Sequence, residues 1–227
     1  NRVELEEIGF TVDTRPVRLS ATAAEGFSPN NDGKNDTLTV EVQASFYDTV
    51  DEWKLSFVDG FGKVLREVEG TETLPAAFTW DGAMQFTDAE IKASEGLYRA
   101  VVDVSYRKGT TATARTEFFF IDVTPPAVNL KATADPFAQA NGNIEGDIYI
   151  TLQIDDAHEV ADWSMDILTA DDQIVRSFTG TGDFQDQTVW KDDRQEVRTS
   201  PSTELMVVRV DVVDEVGNFT TFEERVP

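Results

Sequence analysis

The chain repeats itself, and this restricts its fold more than any other feature. Shifted by 110 positions, Phe27 falls on Phe137, Leu38 on Ile148, Val40 on Ile150 and Val42 on Leu152. Trp53 meets Trp163, Leu55 meets Met165, Phe57 meets Ile167, Gly70 meets Gly180 and Trp80 meets Trp190. The shift then becomes 108, where Leu97 meets Leu205, Asp103 meets Asp211 and Gly109 meets Gly217. All four tryptophans pair off in this way. A period near 110 is too long for a solenoid unit and is the size of a whole domain, so the 227 residues read as two copies of one fold. The expected domains are 16–125 and 126–227. The stretch FTVDTRPVRLSATA (10–23) echoes FFIDVTPPAVNLKATA (119–134), so residues 1–15 read as the last strand of a preceding, truncated repeat or as an N-terminal extension. The chain opens at Asn1, and the expectation is a slice of a longer protein.

Within each copy the period is two. In LYRAVVDVSYR (97–107), Tyr98, Ala100, Val102, Val104 and Tyr106 fall on one face, and Arg99, Asp103, Ser105 and Arg107 on the other. Met206, Val208, Val210 and Val212 form the matching face in the second copy. This alternation belongs to half-buried antiparallel strands. LTVEV, WKLSFVD, GKVLREVE and AAFTW are further short strands, and DGFGK (59–63) and RKGTT (107–111) read as hairpin turns. About seven strands in about 100 residues predict an all-β chain of tandem Ig-like β-sandwiches. TDAEIKASEG (87–96) is the only stretch that could make a helical turn.

Forty-three acidic against 19 basic residues give a net charge of −24. That field repels phosphate, which argues against nucleic acid and anionic membrane surfaces and favours cations or basic partners. With no cysteine there is no disulfide, thiolate chemistry or cysteine-based zinc site. No apolar run approaches the roughly 18 residues of a membrane span.

FSPNNDGKND (27–36), at the mouth of a strand, admits two readings. As a calcium loop it offers oxygens at alternate positions from Asn30, Asp32, the Lys34 carbonyl and Asp36, with Gly33 at the sharp turn. Ser28 at the first position and Thr39 at the twelfth depart from a strong calcium loop. As a turn, its Asn and Asp side chains close on their own backbone. At a shift of 110, Asn30, Asp32 and Asp36 become Ala140, Gly142 and Gly146, so any such site belongs to the first copy alone.

DDAHEVAD (155–162) gathers Asp155, Asp156, Glu159 and Asp162 in a loop that reads as solvated, with a cation at a domain junction as the alternative. His158 reads as a surface residue, and a single histidine without a cysteine or a second histidine is expected to give no zinc or iron site. Phe61 and Phe86 lack aromatic counterparts in the second copy, and Phe184 lacks one in the first; these are the candidates for exposed contact residues. The tryptophans, at equivalent positions, read as core. No Gly-rich phosphate loop, G-x-S-x-G elbow or H-E-x-x-H is present, and the single histidine has no nucleophile elbow near it. The chain does not read as an enzyme.

FSPNNDG-KND opening a strand, then a Trp-containing strand, DGFGKV, FTWDG, GLYRAVVDV and DVTPPAV together resemble the FlgD-type Ig-like domains and the related C-terminal domains of gliding-motility and other bacterial surface proteins. The likeness covers 27–128 directly and 137–227 through the internal repeat, where FAQANGNIEGD replaces the opening motif and WKDD replaces WDG. The resemblance implies an exported, cell-surface, extracellular or periplasmic module without catalysis, a structural spacer or interaction array. Alternatives are a carbohydrate- or protein-binding adhesin module and a part of the flagellar or motility apparatus. The implied partners are a protein or glycan and adjacent repeats of the same chain. No cofactor is expected, apart from weak calcium.

Overall fold

The computed structural model describes residues 13–85, 91–134, 148–190 and 206–226, and among them it is all β. The chain divides into two compact units, one of residues 1–29 and 37–121, the other of 30–36 and 122–227. The second unit therefore begins at Asp122, before the proline pair, and takes in the loop at 30–36.

The first unit contains β1 (Leu19–Thr22), β2 (Gly26–Phe27), β3 (Leu38–Ala44), β4 (Val50–Asp59), β5 (Val64–Thr71), β6 (Ala77–Trp80), β7 (Gly96–Tyr106), β8 (Thr111–Arg115) and β9 (Phe119–Ile121). One sheet has the order β1-β3-β6; the other runs β2-β9-β7-β4-β5, with β8 also paired to β7. Strand β7 thus holds β4 along one edge and β8 and β9 in succession along the other. The second unit contains β10 (Ala127–Ala134), β11 (Ile148–Asp155), β12 (Val160–Leu168), β13 (Ile174–Gly180), β14 (Phe184–Trp190), β15 (Met206–Asp214) and β16 (Phe219–Val226). Its sheets are β10-β11-β14 and β13-β12-β15-β16. Each unit is an Ig-like sandwich of two antiparallel-dominated sheets.

The alternation read in the sequence fills the space between those sheets. Leu38, Val40 and Val42 are buried while Thr39, Glu41 and Gln43 face water. Tyr98, Ala100, Val102, Val104 and Tyr106 are buried, as are Met206, Val208, Val210 and Val212. The pairing register carries the repeat further. Leu38 lies opposite Trp80 as Ile148 lies opposite Trp190. Trp53 lies between Gly70 and Val104 as Trp163 lies between Gly180 and Val212. Even the irregularities recur at a shift of 110, between Phe57 and Val58 and between Ile167 and Leu168. One cross-strand pair keeps its bond but swaps its ends. Ser56 donates to Glu67 at 3.1 Å, and at the same positions Ser177 donates to Asp166 at 2.5 Å.

All four tryptophans are buried. Trp80 stacks on Phe57 of the opposite sheet, with centroids 4.4 Å apart. Trp53 tilts against Phe78 at 5.2 Å, and its indole N–H donates to the Thr73 carbonyl. In the second unit the position of Phe78 is held by Thr188, and Phe184 covers Trp163 instead, at 4.7 Å. This corrects the expectation for Phe184. It has no aromatic counterpart because it replaces one lost elsewhere, and it packs on the core rather than standing out from it.

Phe61, at the tip of the 59–63 turn, is fully exposed. Phe86 lies outside the described residues, as do residues 1–12 of the expected N-terminal segment. Of 87–96, the described part holds a single bridge, Ala83 to Lys92, and the start of β7. Asp13 and Arg15 form an ion pair; Arg15 lies 4.2 Å over the Phe46 ring, and its carbonyl accepts from Lys108.

Candidate metal centre

Four segments of the second unit end in polar groups that meet. The first is Asp122, next after β9. Its Oδ1 accepts the N–H of Thr124, two residues on, at 2.9 Å, the geometry of an Asx turn. Its side chain is buried, the residue being 1% exposed. The second is the 156–159 loop between β11 and β12. Asp156 Oδ1 accepts from the His158 N–H at 2.9 Å, which turns the imidazole back toward Asp122. His158 Nδ1 then lies 2.7 Å from Asp122 Oδ2.

The third segment is the 214–218 turn between β15 and β16. Asp214, 2% exposed, takes the Val216 and Asn218 N–H groups on Oδ1 and the Asn218 side-chain amide on Oδ2. Asn218, 1% exposed, also donates to the Asp122 carbonyl at 3.1 Å. At a shift of 108 this pair replaces Tyr106 and Thr110 of the first copy. A buried phenol and a threonine thus give way to a buried carboxylate and amide at the end of the same hairpin.

The fourth segment is the 30–36 loop. Asn30 Oδ1 accepts from the Asp32 N–H, Asp32 Oδ1 from the Lys34 N–H, and the two oxygens of Asp36 from the Asn31 and Gly33 N–H groups. Gly33, at φ 90°, allows the chain to fold over Asp36. The loop is fastened to the 214–218 turn by Asn30 Nδ2 on Asn218 Oδ1 at 3.1 Å and by Asn35 Nδ2 on the Val216 carbonyl at 2.9 Å. The four residues singled out for calcium are thus present in one loop, with the side-chain oxygens of Asn30, Asp32 and Asp36 each accepting an N–H of that loop. Each such oxygen keeps a second lone pair.

Among the described residues, Asp122, Asp156 and His158 offer ligand atoms that all lie within 4.8 Å of one another. This changes the reading of the 155–162 loop. His158 is half-buried and bonded to a buried carboxylate, and Asp156 is half-buried beside it, so neither belongs to a merely solvated surface. Burial, with the nearby Asp122 and Asp214 charges adding to it, pushes the Asp156 carboxyl above its ordinary range, against the His158 N–H and imidazole, which act the other way. Asp155 is exposed, and Glu159 is exposed with its carbonyl accepting from Glu215. Asp162 lies in β12. Sequence reasoning missed Asp122, Asp214 and Asn218. The signal available was the asymmetry of the repeat at 106 and 110 against 214 and 218.

No family model matches the chain, and no curated protein sequence matches it. Among solved structures, the fibronectin(III)-like modules of Clostridium thermocellum CbhA are 15% identical, over 92% of this chain and 93% of that one, with a TM-score of 0.39. A structure of a 1.5-MDa bacterial ice-binding adhesin is 12% identical over 94% of this chain and 65% of its own, with a TM-score of 0.42. The tetra-tandem repeat in the extending region of a large adhesion protein is 13% identical over 92% of this chain, with a TM-score of 0.31; the chain spans about half, 49%, of that structure. Among the described residues no helix is long and apolar enough to cross a membrane.

Proposed function

We propose that the chain is a non-catalytic, tandem Ig-like module of a bacterial exported or cell-surface protein that acts as a structural spacer or interaction array. One observation carries this reading. The residues that the two copies share, the four tryptophans, the glycines beneath two of them and the flanking strand pairs, are core or sheet residues, so what is repeated is a fold and not a site. Selection for length or for regular spacing repeats a fold in this manner. The resemblance to FlgD-type domains supports the same reading, including the exported location.

Calcium at Asn30, Asp32, the Lys34 carbonyl and Asp36 is part of this proposal. With two carboxylates the loop falls in the class of extracellular modules that bind at about 10⁻⁴–10⁻³ M. Titration calorimetry at millimolar calcium measures it; heat that disappears in D32A and D36A supports the site, and an absence of heat removes it.

The spacer reading is tested by pulling single molecules of the whole chain. Two unfolding steps, each releasing roughly 350 Å of chain at about 3.5 Å per residue, are expected of two self-contained units. One step, or a chain that extends without resistance, contradicts it. A second reading, an adhesin module, draws on the fully exposed Phe61. Retention on a glycan or protein array that F61A abolishes would favour it.

A further inference from the structure

We infer that Asp122, Asp156 and His158 form a binding site for a divalent first-row transition-metal ion. The inference is independent of the spacer reading and of the calcium proposal for the 30–36 loop. Its first ground is geometry. The three ligand atoms lie within 4.8 Å of one another. Ligands about 2.0–2.2 Å from an ion stand about 3–4 Å apart, so the group closes on an ion with small side-chain movements. Asp122 and Asp156 each have one oxygen fixed by a backbone N–H, of Thr124 and of His158. Their remaining oxygens are thereby aimed, as outer partners aim the ligands of metal sites. The ion replaces the proton shared by Asp122 Oδ2 and His158 Nδ1, now 2.7 Å apart, and those atoms separate slightly to admit it.

The second ground is chemistry. One imidazole nitrogen with two carboxylate oxygens is a mixed donor set. Calcium and magnesium take oxygen alone, whereas imidazole favours the later first-row dications. Three protein ligands leave coordination positions for water on the open side, where Asp156 and His158 are half-exposed.

The third ground is charge. The Asp122 and Asp214 side chains are buried within the same unit, and no lysine or arginine among the described residues pairs with Asp122, Asp156 or Asp214. Buried carboxylates are otherwise matched by cations or metals. The first copy has Phe46 and Asp48 where the second has Asp156 and His158, so the site belongs to one unit and the other serves as an internal control.

The test uses the whole chain, stripped with EDTA and titrated with zinc, cobalt or calcium ions. The expected result is binding of one zinc ion, a cobalt complex with visible d–d absorption, and a rise in the melting temperature of the second unit alone. H158Q and D156N keep the fold, as their partial exposure allows, and weaken zinc binding by about 100-fold or more, above the 10–100-fold typical of losing an outer partner. D32N and D36N leave it unchanged. No heat and no cobalt spectrum with a folded chain would overturn the inference. Zinc affinity unmoved in both H158Q and D156N would overturn it as well, and so would calcium binding that exceeds zinc, persists in H158Q and is unmoved in D32N and D36N.

Discussion

At Gly70 and Gly180 the absence of a side chain is itself a packing requirement. A Cβ built on Gly70 would stand 2.5 Å from Cζ2 of Trp53, and one on Gly180 would stand 2.3 Å from Cζ2 of Trp163. Each indole occupies the space that a side chain at the glycine of the neighbouring edge strand would need. G70A and G180A should therefore each cost about 1–3 kcal/mol through displacement of a packed ring. Both the denaturation midpoint and the tryptophan emission of the altered unit should move. A substitution at either glycine that leaves both unmoved would show that the rings yield freely. The same scale governs Asp156. Its folded pKa is raised above the ordinary 3.8, chiefly by burial, so the ionised form is penalised in the folded state. That penalty is full above the raised value and gone below the ordinary one. In EDTA, D156N should stabilise the second unit at pH 7, because Asn keeps the acceptor for the His158 N–H and loses the charge. The gain should shrink as pH falls toward 3.8. A gain that stays constant across that range would mean that burial does not disfavour the ionised carboxyl.

At the scale of elements, the 30–36 loop was legible in composition and not in destination. Its Asn, Asp and Gly residues announce a turn, and the turn is made by their side chains on four of its N–H groups. Nothing local announces that Asn30 and Asn35 reach residues 181 and more positions further on. Long-range partners of a polar loop leave no period in the sequence, unlike the strands, whose burial imposes a period of two. For the same reason Asp122 was missed and Asp156 with His158 read as a solvated loop, since only the fold brings them together. Phe184 shows a different limit. A compensating exchange, Thr188 for the aromatic at Phe78 and Phe184 for Leu74, looks like an unmatched surface aromatic until the sheets are stacked. The loop's anchorage is measurable with a double-mutant cycle on Asn30→Ala and Asn218→Ala. A coupling of about 0.5–1.5 kcal/mol in the stability of the second unit is expected of one part-buried amide–amide bond. Strict additivity would show that the bond contributes nothing.

For the whole molecule, one sandwich is present twice. Shared residues are spent on the core, and differences accumulate where polar groups gather: Tyr106 and Thr110 against Asp214 and Asn218, Phe46 and Asp48 against Asp156 and His158. The most direct measurement is hydrogen exchange read by mass spectrometry on the wild type, W80A and W190A. Each tryptophan is buried in its own unit's core, and truncation should cost about 3–5 kcal/mol. In W80A, exchange should accelerate through β3, β4, β6 and β7 and leave β11, β12, β14 and β15 protected as in the wild type. W190A should do the reverse. If either substitution opens both sets of strands to the same degree, the chain has one cooperative core, and the reading of two self-contained copies is wrong.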